Sequence, residues 1–333
     1  MENKIAKLIE LVQKLPENCV EEAIEYVIGK IEENTNNKAP PPCPQCKSEK
    51  IKRNGNKKGS QRFLCKDCGR TYSETTNTIM AYSHYGEAVW KQAIRDTVNC
   101  IPLEETASSM QLSHSTAFNM RHKILLALES EEIREPTVLN GVCELDDTYV
   151  LESYKGSKLP PDFWRKPRKH GAVAQKRGIS NEYICISTGV GRDGASYSKT
   201  VTRAAPSKDD LIEVFGNRIG EEALILCDGA TSYAALGENC ACPVQNVSVD
   251  GAKSGKGFYN INTANSFHSF IKDKYNQFRG VATKYLNRYN ALFSKLFRPS
   301  EDLADEIYKL LTSNDLQRHK SVNDVKSLNL LDI

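Results

Sequence analysis

A doubled Cys-x-x-Cys spacing constrains this chain more than any other feature. "CPQC" supplies Cys43 and Cys46, "CKDC" supplies Cys65 and Cys68, and eighteen residues separate the pairs. Each pair can turn two thiolates onto one tetrahedral zinc from a tight knuckle. Between them, "EKIKRNG" and "QRFLC" predict two short strands of a hairpin bearing Arg53, Lys57, Lys58 and Arg62. A segment this short and polar cannot bury a core, so a metal must take the place of one. Four thiolates leave no open position for water, which makes the single zinc structural. A redox role is disfavoured by the presence of two pairs and the lack of a βαβ pattern around them. Cys143, Cys185 and Cys227 lie inside apolar runs, where a free thiol acts as a small hydrophobe; this usage suits a reducing compartment.

The 333 residues can hold two or more domains, and 39% hydrophobic with 26% charged residues is ordinary for a soluble globular chain. No apolar run reaches membrane-span length and the N-terminus lacks a signal-peptide pattern, so a cytoplasmic protein without a membrane partner is expected. A net charge of +3 says little, but its distribution says more. Residues 47–72 carry nine Lys/Arg against two acids, and residues 154–180 carry eight against one. The first 33 residues carry four Lys against eight Glu. Two basic segments in a near-neutral chain suggest polyanion contacts, although solvated basic loops would give the same count.

Along the chain, residues 1–38 predict a helical pre-domain ending in the polar, Pro-rich linker "ENTNNKAPPPCP", with the zinc ribbon over 39–80. Residues 84–130 predict helices only. "PLEETASSM", the turn "QLS" and "HSTAFNMRHKILLAL" suggest a helix-turn-helix, with Ser113 as N-cap and Ala107 allowing close packing. Its second helix would offer His114, Ser115, Asn119, Arg121 and His122 to DNA; a plain three-helix bundle is the other reading. Residues 138–296 change to a strand-rich pattern, β-β-β-α-β-α-β-α, which predicts a mixed α/β sheet. The tail over 297–333 carries no signal.

Within that sheet two acids stand out. Asp146 sits inside the apolar strand "GVCELDDTYV" and Asp228 ends the run "ALILCD". Acids lower strand propensity and are costly to bury unpaired, and hard oxygen ligands point to Mg²⁺ or Mn²⁺. A helix N-cap at Asp228 and an exposed acidic edge at Asp146 are the structural alternatives. Alternation puts Glu144 and Asp146 on one face and Asp147 on the other. In "NINTANSFHSFIKDKYNQF", Asn265, His268 and Lys272 share one face of a helix.

Together "CPQC…CKDC", "GVCELDDTYV", "LCDGATSY" and "INTANSFHSFIKDKYNQFRGVATKYLNRYNALF" resemble the zinc-ribbon insertion-sequence transposases of the DDE superfamily. The likeness spans roughly residues 40–295 and is to the subgroup with Asn as third catalytic residue followed by Lys. It implies a ribonuclease-H-like catalytic domain, with Asp146 and Asp228 as the catalytic acids, Asn265 as third ligand and Lys272 as the basic residue two turns on. Many relatives have Glu after the first Asp; this chain has Asp147. The resemblance also implies two Mg²⁺ or Mn²⁺ ions on Asp146, Asp228 and Asn265 for strand cleavage and transfer. Implied partners are terminal inverted repeats and target DNA, with a homo-oligomer acting in a bacterial cytoplasm at the nucleoid. Lys166, Arg168, Lys169, Lys176 and Arg177 of the basic loop would track the DNA backbone. A DNA-binding regulator with an inactive catalytic domain is the alternative.

Overall fold

The computed structural model describes residues 39–57, 60–81, 83–159, 161–166, 168, 173–229, 231–247, 257–313 and 326. The pre-domain expected over 1–38, the basic residues Lys58 and Lys169, and nearly all of the tail past 313 lie outside them; for Lys57 only the backbone is described. The chain divides into two compact units, Met1–Glu74 and Thr75–Ile333.

The described part of the first unit is a three-stranded antiparallel sheet of β1 (Ile51–Lys57), β2 (Ser60–Cys65) and β3 (Thr71–Ser73). Its apolar cluster is only Cys43, Phe63, Cys65 and Tyr72, with Ile51 against it. That is too little to hold a fold without a cross-link or a metal. The ribbon expected to run to residue 80 gives way earlier, because the chain from Thr75 belongs to the second unit and buries Ile79 and Met80 in that unit's core.

The second unit opens with α1 (Glu87–Val98), α2 (Leu103–Ser109) and α3 (His114–Arg134). Next come β4 (Val142–Leu151), β5 (Tyr183–Gly191), β6 (Ser196–Arg203), α4 (Lys208–Phe215), β7 (Leu224–Cys227), α5 (Thr231–Cys240) and β8 (Val244–Asn246). Three helices close the described chain: α6 (Asn262–Gln277), α7 (Leu286–Phe297) and α8 (Leu303–Thr312). The five strands lie in the order β6-β5-β4-β7-β8. β5 is antiparallel to both neighbours, whereas β7 and β8 run parallel to β4. This is the ribonuclease-H-like arrangement, with the central strand β4 flanked by β5 and β7.

Alternation along β4 sorts its side chains between two layers. Cys143 and Leu145 enter the core under α4 and α5, with Leu211, Phe215, Tyr233 and Leu236. The opposite layer joins Ile184, Ile186 and Val190 of β5 to α1, α3, α6, α7 and α8 through Trp90, Ile124, Leu125, Phe267, Phe293 and Ile307. Gly189 of β5 has no room for a side chain, since a Cβ would come within 2.5 Å of Leu139 and 2.9 Å of Leu145.

The helices expected over 84–130 form, and the Ser113 side chain caps α3 by accepting from the Thr116 amide. They do not stand as a separate module, because α3 is the central helix of the layer on the sheet. Its run Ile124–Leu128 is buried at every position, and a helix apolar all round must be covered on several sides. No helix among the described residues is long and apolar enough to cross a membrane.

Candidate active site and metal centre

Asp146 is half-buried near the middle of β4, opposite Thr188 of β5. Its Oδ1 accepts from the Asp147 amide at 2.9 Å, which fixes the carboxylate plane. Burial pushes its pKa up to about 7; the charges of Asp228 and Asp147 add to the rise, against the pull of the Asp147 amide and Lys272. The parallel register that pairs Glu144 with Leu226 sets Asp228, exposed just past the end of β7, beside Asp146, and Lys272, exposed on α6, acts on the same carboxyl. Ionised carboxylates crowded this way attract a cation, and all the donors are hard oxygens. The residues therefore fit a divalent metal of the Mg²⁺ or Mn²⁺ class.

Asp147 faces the opposite layer and accepts from the Ser187 hydroxyl at 2.6 Å. Burial raises its pKa too.

On α6, His268 is buried and brings one face of the helix onto Asp146. Its Nε2 lies 2.7 Å from Thr188 Oγ1, and its Nδ1 stands 3.6 Å from Asp146 Oδ2. Burial, with Lys272 nearby, pushes its pKa down to about 4. Asn265 lies one turn before His268 and Lys272 one turn after, both exposed. All three share the face that His268 turns to the carboxylate.

Glu144, two residues before Asp146 on the same face, is fully buried. Its Oε2 accepts from the Thr263 amide at 2.7 Å and the Ala264 amide at 3.0 Å, and its Oε1 from Thr263 Oγ1 at 3.1 Å and Arg192 Nε at 3.2 Å. A carboxylate on otherwise orphan amides stabilises a helix N-terminus. Strand β4 thus carries Asp146 and also fixes where the helix bearing Asn265 begins. Alternation put Glu144 on the right face, but nothing in the sequence pairs it with a helix 119 residues away.

In the first unit, one ligand atom from each of Cys43, Cys46, Cys65 and Cys68 lies within 4.8 Å of all the others. The knuckles repeat each other: Lys47 accepts a φ of 61° where Gly69 has 69°, each just after the second Cys of its pair. The Cys46 amide lowers the Cys43 thiol pKa and the Cys68 amide brings Cys65 down to about 6, whereas burial and the neighbouring thiols push Cys46 up to about 12 and raise Cys68, as four thiols must unless they share a cation. The arrangement fits one tetrahedral zinc with no open position.

The expected DNA contacts divide. Arg53, His114, Ser115, Lys166, Lys176 and Arg177 are exposed. Arg62 is half-buried and donates to Thr71 Oγ1 at 2.7 Å. Asn119 is half-buried, and its Oδ1 is enclosed without a partner among the described residues. Arg121 departs from expectation: it is buried, donates to Thr106 Oγ1 at 2.9 Å and stacks over Phe278. His122 is buried against Arg288. The physical reason is the buried run of α3, which turns this part of the helix inward. Arg168 also departs, since its guanidinium reaches Glu182 Oε2 and the Glu152 carbonyl, both at 2.8 Å. With Arg165 and Arg203 on Glu152, it pins the base of the loop and does not offer a free charge.

Residues 138–295 match the ISXO2-like transposase domain, and residues 42–69 match the InsA N-terminal domain. A Halobacterium salinarum relative, described as an uncharacterized protein in transposable element ISH50, is 24% identical over 257 residues, 75% of this chain and 83% of the relative. Among solved structures, the Mos1 mariner paired end complex with Mn aligns at 12% identity over 70% of this chain and 79% of that one, with a TM-score of 0.26. The Mos1 strand transfer complex aligns at 16% identity over 69% and 78%, with a TM-score of 0.25. Alignments at those scores add nothing to the fold as read from strand order.

Proposed function

We propose that the chain, whose residues 138–295 match an ISXO2-like transposase domain, is a DNA transposase that cleaves and joins DNA at Asp146, Asp228 and Asn265 with two divalent cations. Asp146 and Asp228 would hold the ions through carboxylate oxygens, and Asn265 would add a neutral amide oxygen. Bound there, the ions would supply Lewis acidity for an in-line displacement at phosphorus. The Asp147 amide holds Asp146 Oδ1 in place, leaving Oδ2 on the side facing α6. Lys272 meets a phosphate beside the site as a point charge. What carries the reading is the placement of Asp146, half-buried on β4 beside the end of β7 that bears Asp228, on a strand that also anchors the helix bearing Asn265.

The DNA partners are the element's terminal repeats and the target. The zinc ribbon and the exposed start of α3, with His114 and Ser115, supply the end-binding contacts in a helix-turn-helix manner. Lys166, Lys176 and Arg177 follow the phosphate backbone. The family resemblance favours a homo-oligomer that pairs two ends in the cytoplasm.

The test is nicking of DNA carrying the terminal repeats, in Mg²⁺ and in Mn²⁺. Asp146→Ala and Asp228→Ala should bind the ends but not cut them. Full cutting by either variant would remove that residue from the site, and binding without cutting by the parent in both metals would favour a regulator.

A further inference from the structure

The contacts of His268 fix where its proton lies. The Thr188 hydroxyl has one hydrogen and gives it to the Asp146 carbonyl at 2.8 Å. Thr188 Oγ1 therefore accepts from His268 Nε2 at 2.7 Å, so Nε2 carries the proton. Nδ1 is left facing Asp146 Oδ2 at 3.6 Å, beyond hydrogen-bond reach. They face each other usefully when a cation lies between.

We propose that His268 Nδ1 is a further ligand of the divalent cation held by Asp146, and that this nitrogen tilts the site from Mg²⁺ toward Mn²⁺. The inference rests on the active-site reading given above. Metal-binding imidazoles donate their second nitrogen to a fixed acceptor, which sets tautomer and ring plane; Thr188, itself locked by the Asp146 carbonyl, is that acceptor. Two ligands about 2.1 Å from one ion lie roughly 3.0–3.4 Å apart across octahedral or tetrahedral angles. The observed separation is slightly wider, so a small inward shift brings both donors onto one ion. The ring cannot swing away readily, because it is buried and the start of its helix is held by Glu144. Mg²⁺ prefers oxygen ligands throughout, whereas transition metals gain from imidazole nitrogen.

The test uses the full chain with its zinc in place. Pulsed electron paramagnetic resonance of bound Mn²⁺ should show an imidazole nitrogen coupling that changes when histidine alone is labelled with ¹⁵N. This needs no variant that might fail to fold. In metal titrations, His268→Phe should weaken Mn²⁺ by about 10–100-fold and Mg²⁺ far less. Thr188→Val, which keeps the ligand but frees its tautomer, should fall between. No nitrogen coupling from Mn²⁺ that Asp146→Asn displaces would overturn the proposal, as would an unchanged Mn²⁺-to-Mg²⁺ preference in His268→Phe. Mn²⁺ binding untouched by Asp146→Asn would overturn the active-site reading together with it, so the two failures are told apart.

Discussion

Replacing Asp146 with Asn should stabilise the protein without metal and abolish its stabilisation by metal. Asn keeps the oxygen that accepts from the Asp147 amide, so geometry is preserved and the charge alone is removed. The wild-type carboxyl has its pKa raised from 3.8 to about 7 by burial and by neighbouring carboxylates. A folded-state pKa above the unfolded one means that the native state holds the extra proton between those values. Unfolding free energy then falls as pH rises from about 4 to 7 and levels off above. At pH 8 the ionised form costs at most roughly 4 kcal/mol, and about 1–3 kcal/mol after relaxation and water entry.

The assay is urea unfolding of wild type and Asp146→Asn after treatment with EDTA, with the zinc ribbon followed separately. At about pH 3.5, below the pKa of both the folded and the unfolded carboxyl, Asp146 is mostly protonated in either state and the two proteins should agree closely. At pH 8 the variant should be more stable by about 1–3 kcal/mol. Adding Mg²⁺ at a hundred times its dissociation constant should raise the wild type by about 2.7 kcal/mol and leave the variant unmoved. A metal-free wild type as stable as Asp146→Asn at pH 8 would refute the claim that the site is an unneutralised carboxylate cluster.

Two further outcomes follow from neighbouring contacts. Glu144→Ala leaves Arg192 Nε and two α6 amides without their acceptor; it should cost about 2–4 kcal/mol in denaturant unfolding, and a loss below 1 kcal/mol would show that the clamp contributes little. Lys176→Ala and Arg177→Ala should each lower the salt dependence of DNA binding by about one ion, whereas Arg121→Met should leave that slope alone and act on stability, both read from binding isotherms against salt.

Much of this was legible because it is local. The zinc knuckles, the Ser113 cap, and the alternation that puts Glu144 and Asp146 on one face depend on neighbours a few residues apart. What escaped depends on distant partners. The basic count over 154–180 stopped just inside Glu152 and Glu182, the two buried acids that take Arg165, Arg168 and Arg203. Solvated charge and pinned charge cannot be told apart without those ends. A helix-turn-helix reading of the second helix turns Arg121 outward to DNA. The unbroken run "ILLAL" over 124–128 was the available sign of a helix covered all round.

The choice of Asn at 265 follows from the same charge balance and is open to test. Asp146, Asp147 and Asp228 already influence one another, and Lys272 only partly offsets them. Neighbours one turn apart have Cβ atoms about 5–6 Å apart, which puts a carboxylate at 265 on the order of 8 Å from Asp146. At an effective dielectric near 20 the repulsion is about 2 kcal/mol, and about 1 kcal/mol once the exposure of this position is allowed for. Asn265→Glu should therefore lower stability in EDTA by about that amount. It should gain more than the parent from Mg²⁺, since the added charge attracts the ion. Asn265→Gln, which changes length but not charge, should do neither. Thermal midpoints for the three proteins, with and without Mg²⁺, separate charge from shape. If Asn265→Glu matches the parent in both conditions, position 265 does not share the field of Asp146 and the third ligand lies elsewhere. If it behaves as expected, the neutral amide is what lets three neighbouring acids stay folded before the metal arrives.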